Sequence, residues 1–315
     1  GIRLLFWAFS LFLFWIIDTE KVTGTFNIKI WWLALPIFIL IISRLLPFFH
    51  WGEFPLGADA GTYLKEYRFL SPNILYALYI TLNLLLGLTV YLVTEKYFNK
   101  TAAFFSFLIF SLSTSQFLVY WLVYGKMMAA AIFSLLALYY LKSKPWLAIP
   151  LIGLISVIHP PTALPLILLL ILSLIFMPNK KEIFFIIILS VALALHLGWG
   201  DFIRYLEYTR DYLSTNYPLG ITALFNGHFV DLDFYQSFLA LFYLPFALLA
   251  IVRMAKEKNF NYLFLYLVAN ALLVYFNFVF HNRFIILLDL TAIILAGPVF
   301  SNFALNFLFF IFART

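Results

Sequence analysis

The sequence predicts an all-α protein, a polytopic transmembrane helical bundle with short interfacial helices in its outer loops. Three observations carry that expectation. Of 315 residues, 65% are hydrophobic and 11% are charged, where soluble domains carry about a quarter charged residues. The mean hydropathy is +1.01, and the apolar residues lie in long continuous runs rich in Leu, Ile and Phe. Those runs lack the strict alternation of a membrane β-barrel, which leaves the helix as the spanning element. A crossing takes roughly 20 residues, so one domain over 1–315 has room for about ten to twelve crossings.

Taken in order, the first run, 2–17, starts almost at residue 1. No basic region or small-residue cleavage site accompanies it, so it is not read as a signal peptide. Run 30–49 follows, then a first outer loop at about 50–72 and the run 73–94. Asn99-Lys100-Thr101 is formally a glycosylation sequon but is read as the cap of the next run, 101–117. Runs 127–141 and 146–158 are short enough to tilt, break or re-enter. His159-Pro160-Pro161 forms a turn before 162–177, and Lys180-Lys181 precedes 183–199. A long outer loop, about 200–234, opens with Phe202, Ile203, Tyr205, Leu206, Tyr208 and Tyr212 interleaved with charged residues, the pattern of a helix lying in the interface. Runs 235–252, 262–280 and 284–299 complete about eleven membrane segments, and a half-apolar tail follows.

Threading the chain through these runs puts alternate loops on opposite sides. One side collects Lys21, Lys29, Lys96, Lys100, Lys142, Lys144, Lys180, Lys181, Arg253, Lys256 and Lys258 in short loops, which makes it cytoplasmic. The other side collects most of the acids and histidines in longer loops. An enzyme or receptor working at the outer face has this distribution. The formal charge of +6 is scattered rather than gathered in a stripe, which argues against nucleic acid. The absence of cysteine excludes disulfides, thiolate metal sites and cysteine nucleophiles.

In the first outer loop, Pro55, Gly57 and Gly61 force a turn as the chain leaves the membrane, and Asp59 sits in it. Thr62, Tyr63, Glu66 and Arg68 then follow with helical spacing. A carboxylate held there can serve as a general base or bind a metal. The competing role is capping of a short interfacial helix.

A hydrophobic hairpin, a Gly57-Ala58-Asp59 turn followed by the aromatic Tyr63, and later outer turns Tyr124-Gly125-Lys126, His159-Pro160-Pro161-Thr162 and His281-Asn282-Arg283 resemble the GT-C superfamily of membrane glycosyltransferases. Its members include protein mannosyltransferases, lipid A aminoarabinose transferases and oligosaccharyltransferase catalytic subunits. The resemblance implies transfer of a sugar from a polyprenyl-phosphate donor to a lipid, glycan or protein acceptor at the outer face of the plasma (cytoplasmic) membrane, with Asp59 as the catalytic acidic residue. The chain departs from the pattern in carrying a segment ahead of the hairpin, no second acidic pair beside Asp59 and no large C-terminal outer domain.

A donor of that kind needs basic groups at headgroup level above an apolar groove. Lys126 and Arg283 stand at such boundaries, and Arg grips phosphate through two parallel bonds. Their competing role is to anchor helix ends in the headgroups. His159, His281 and Tyr63 are further candidates to line the site, against turn or core roles for the histidines. Asp231 and Asp233 form an Asp-x-Asp pair that could hold a divalent cation, Mg or Mn, or else cap the next helix. Asp289, inside an apolar run, is either functional or the partner of a polar group on a neighbouring helix. Two other functions fit less of the pattern: a transporter or flippase for a lipid-linked substrate, and a non-catalytic subunit of a larger membrane complex.

Overall fold

The computed structural model describes residues 28–51, 71–121, 125–216, 242–276 and 281–312. Among these residues there are eleven α-helices and no strand, in keeping with the expected class. The helices are α1 (Ala34–Trp51), α2 (Pro72–Tyr97), α3 (Lys100–Leu112), α4 (Thr114–Trp121), α5 (Gly125–Leu141), α6 (Ala148–Ile158), α7 (Pro160–Phe176), α8 (Lys180–Asn216), α9 (Leu244–Lys256), α10 (Tyr262–Tyr275) and α11 (His281–Phe312). Among the described residues three stretches are long and apolar enough to cross a membrane: Asn73–Tyr97, Lys180–Gly200 and Phe284–Leu305. Six further apolar helices have 10–17 residues.

Local chemistry explains the ends. The Ser71 hydroxyl accepts from Ile74 N ahead of Pro72 at the first helical position, and Asn99 and Asn261 side chains accept from Ala102 N and Phe264 N. Asn99 is therefore a helix cap, as read from the sequence. Within the apolar helices, the hydroxyls of Thr94, Ser173 and Thr291 each donate to the carbonyl four residues back, at 2.7–2.8 Å. A hydroxyl satisfied by its own helix adds no unpaired donor to an apolar surrounding.

Three expected runs differ from the observed helices. Run 101–117 is divided at Ser113, whose backbone is extended, into α3 and the short α4. The long outer loop does not open with a separate interfacial helix. The charged stretch continues α8 without a break, giving a helix of 37 residues, because glycines at 198 and 200 weaken a helix by only about 1 kcal/mol each and do not stop it. Likewise 284–299 is the middle of α11, which carries the tail through Pro298. The first run, 2–17, lies outside the described residues.

Contacts gather into two compact units. The first comprises Gly1–Val123, Ser237–Lys258 and Ala292–Thr315, the second Tyr124–Gln236 and Asn259–Thr291. In the first, α2 packs along α3 and α1 lies against both. Phe300 is ringed by Phe105, Phe242 and Phe246 with centroids 5.6, 6.4 and 5.1 Å away. A Cβ placed on Gly297 would meet Ser106 Oγ and stand 2.7 Å from the Ala102 carbonyl oxygen. Only glycine permits that approach of α11 to α3, the small-residue packing common between membrane helices.

In the second unit, α6 packs against α5, α7 and α8, and α7 also against α8 and α10. Phe176, closing α7, stacks with Phe260 just before α10 at 5.2 Å. Ser156 near the end of α6 donates to Ala194 O of α8 at 3.3 Å. These contacts make α5 and α7 run one way and α6, α8 and α10 the other.

Candidate functional site

The antiparallel order of the second unit decides which predicted residues share an end. The end where α5 and α7 start and α6 and α10 finish carries Lys126, the second residue of α5, and His159, between α6 and α7. Residues 277–280 join α10 to α11, and so short a link reaches at most about 18 Å. The first turn of α11, His281 to Arg283, therefore begins within about 18 Å of the end of α10. Lys142, Lys144, Lys180 and Lys181 lie at the opposite end, in the turn after α5 and at the start of α8. Asp59, Tyr63, Asp231 and Asp233 lie outside the described residues.

His159 is the best defined of the group. Its backbone N donates to Ile155 O at 2.8 Å and closes α6, while its carbonyl accepts from Thr162 N at 2.9 Å and opens α7. Pro160 and Pro161 fill the first two positions of α7, where a missing N–H costs nothing. The ring is pinned through Nδ1 to Thr162 Oγ1 at 2.7 Å, so at that nitrogen the partner is a buried hydroxyl.

Both predicted phosphate-binding cations occupy the first turn of a helix, Lys126 in α5 and Arg283 in α11. A helix N-terminus already carries partial positive charge, so a cation there is disfavoured unless an anion balances it. Lys126 is exposed, as a headgroup-level contact requires. Asp289 lies six residues beyond Arg283 on the same helix, about 9 Å along the axis, and is fully buried. His196 is exposed on α8, because that helix turns much of its surface outward.

The first unit contains a second constellation, centred on Arg44. That side chain is 1% exposed. Its Nε donates to Asn83 Oδ1 at 3.2 Å, and its Nη1 donates to Ser43 Oγ at 2.9 Å and Ser111 O at 3.4 Å. The rings of Phe117 and Tyr120 stand 5.4 and 5.9 Å from Cζ. Tyr76 and Tyr120 hydroxyls donate to the Arg44 carbonyl at 2.6 and 3.2 Å. An arginine inside one apolar run and an asparagine inside the next were the available signal, since two strongly polar groups at such positions need each other.

Among the described residues no group of three His, Asp or Glu side chains is placed to hold a metal ion. No family model, characterised protein or solved structure matches the chain.

Proposed function

We propose that the chain is a polytopic membrane glycosyltransferase of GT-C type, with about eleven crossings, using a polyprenyl-phosphate sugar donor at the outer face of the plasma membrane. The observation that supports this reading is the gathering of Lys126 and His159 at one end of the second unit, with the first turn of α11 within about 18 Å of the end of α10 and the lysines of the short turns at the opposite end. Two cations and two helix N-termini suit an anionic phosphate at headgroup level.

The reaction then runs as a displacement at the anomeric carbon. The acceptor oxygen forms a bond to that carbon as its proton passes to the Asp59 carboxylate. The bond from the anomeric carbon to the phosphate oxygen breaks, and its electron pair leaves with the polyprenyl phosphate. Lys126 and Arg283 hold that phosphate and stabilise the charge developing on it. His159, His281 and Tyr63 line the site, and a Mg or Mn ion held by Asp231 and Asp233 would add positive charge at the leaving group.

The test is a transfer assay on detergent-solubilised protein with radiolabelled polyprenyl-phosphate sugars and membrane acceptors. Asp59→Asn is expected to cut transfer by at least about a hundredfold. Equal transfer by wild type and Asp59→Asn would remove Asp59 from the mechanism. A transporter is the second reading, favoured by the full burial of Arg44 and Asp289 inside apolar helices. Flux of a lipid-linked substrate across proteoliposomes without sugar transfer would decide for it.

A further inference from the structure

A guanidinium has five N–H donors and no acceptor. At Arg44 three contacts go to neutral oxygens, of Asn83, Ser43 and the Ser111 carbonyl, and all of them leave from Nε and Nη1. Nη2 is buried and its two N–H groups have no acceptor. No carboxylate pairs with the guanidinium among the described residues. Neither nearby tyrosine supplies a negative charge, since both phenols spend their protons on the Arg44 carbonyl. On α4, which carries the Phe117 and Tyr120 rings, Ser115 Oγ is also buried without a partner.

A positive charge enclosed among apolar helices is costly unless an anion or a full set of acceptors balances it. The acceptors are incomplete, and among the described residues no anion stands at the guanidinium. The incompleteness has a direction. An oxyanion grips arginine through two parallel N–H bonds, along either the Nη1–Nη2 edge or the Nε–Nη2 edge. Nη2 belongs to both edges and is the nitrogen left unused, so a two-bond grip on an oxyanion requires the Nε bond to Asn83 or one of the Nη1 bonds, such as the 3.4 Å contact to Ser111 O, to give way.

We infer that Arg44 is an oxyanion-binding group in the first unit, taking a phosphate through Nη2, with Phe117 and Tyr120 forming apolar walls beside it. The phosphate chemistry follows from the guanidinium alone, whereas a polyprenyl tail on it rests on the glycosyltransferase reading. Because Nη2 is enclosed, binding is accompanied by displacement of the side chains of α4. That short helix is separated from α3 by the extended backbone of Ser113.

The experiment is a binding titration on the full chain in detergent, read by tryptophan fluorescence and by the thermal midpoint. The probes are polyprenyl phosphate, the uncharged polyprenol of the same length, phosphatidylglycerol and inorganic phosphate, each with wild type, Arg44→Lys and Arg44→Gln. Wild type is expected to bind at least one phosphate-bearing probe about tenfold or more tighter than polyprenol. Which probe wins identifies the source: inorganic phosphate a free ion, phosphatidylglycerol a headgroup, polyprenyl phosphate a lipid-linked donor. Arg44→Lys, which keeps the charge but loses the planar guanidinium, is expected to lose about tenfold of that preference while its thermal midpoint without probe reports whether it folds. Arg44→Gln is expected to lose it all.

Equal binding of polyprenyl phosphate and polyprenol by wild type, with no response to the other two probes, overturns the inference. So does an unchanged phosphate preference in Arg44→Lys, which would assign the preference to Lys126 and Arg283 and which holds even if Arg44→Gln does not fold. A preference that depends on Arg44, in a protein that transfers no sugar, would leave this site standing while the glycosyltransferase reading fell.

Discussion

Thr162 shows how much of a histidine's position can rest on one hydroxyl. Its Oγ1 fixes His159 Nδ1 at 2.7 Å, and Thr162 is itself 1% exposed. Thr162→Val keeps the shape and removes the bond, so a drop in stability of about 1 kcal/mol is expected, seen as a lower thermal midpoint in detergent. Serine at the same place should restore most of it. The His-x-x-Thr spacing, with the cap residue and the third helical position paired, was legible in principle as a helix start, but the two prolines marked the turn more strongly and suggested a backbone carbonyl, not a hydroxyl, as the ring's partner. A sharper case is Gly297, where an added Cβ would press on Ser106 Oγ and the Ala102 carbonyl. Gly297→Ala is expected to destabilise by about 1–3 kcal/mol, and Ser106→Gly should relieve only part of that loss, because the carbonyl of Ala102 stays where it is. Contacts of this kind join residues nearly two hundred positions apart, and no local pattern announces them.

At the scale of elements, α8 separates two glycines that look alike in the sequence. A Cβ on Gly198 would stand 3.0 Å from the Ser156 carbonyl oxygen of α6, whereas one on Gly200 would meet nothing within 4 Å. Gly200→Ala is therefore expected to raise stability by up to about 1 kcal/mol through helix propensity, while Gly198→Ala gains the same propensity and loses it to the crowded contact. Thermal unfolding of the two variants side by side checks the difference, and an equal gain in both would mean that α6 and α8 are not in close contact there. The sequence identified the apolar part of this helix because its period and composition are strong signals. It did not identify the continuation to Asn216, because the change from apolar to charged residues marks where the surroundings change, not where the backbone stops being helical.

At the scale of the molecule, the described helices turn large apolar side chains outward as well as into the core. Lys180–Gly200 has a mean hydropathy of 2.3 in its most apolar window, yet only 28% of that window is buried, and Phe184, Phe185, Ile188 and Leu197 face outward. In water that exposure would cost about 25 cal/mol for every Å²; against lipid it costs nothing. Phe284–Leu305, at 83% buried, occupies an interior position instead. Composition made this class legible at once. The number of crossings was less so, since helices of 10–17 residues fall below the length that identifies a span by itself. The lack of native cysteine makes sidedness directly measurable. Single cysteines at Lys126 and at Lys144, both exposed, are expected to react with an impermeant maleimide from opposite faces of sealed vesicles, outside for Lys126 and inside for Lys144. Labelling of both from one face would refute the proposed orientation.

The single-residue joint between α6 and α7 also bears on how the protein is made. α6 has 11 residues, about 16 Å of helix, roughly half the thickness of the hydrocarbon core. Emerging from a ribosome, it is too short to be handed into the bilayer by itself, and the two prolines after His159 fold the following helix back along it. If the proposed bundle of about eleven crossings holds, the two helices are expected to enter as a pair, with integration of α6 waiting until α7 has been synthesised. In an insertion reporter, α6 alone is expected to be retained poorly, and the α6–α7 pair efficiently, with both of its ends on the same side.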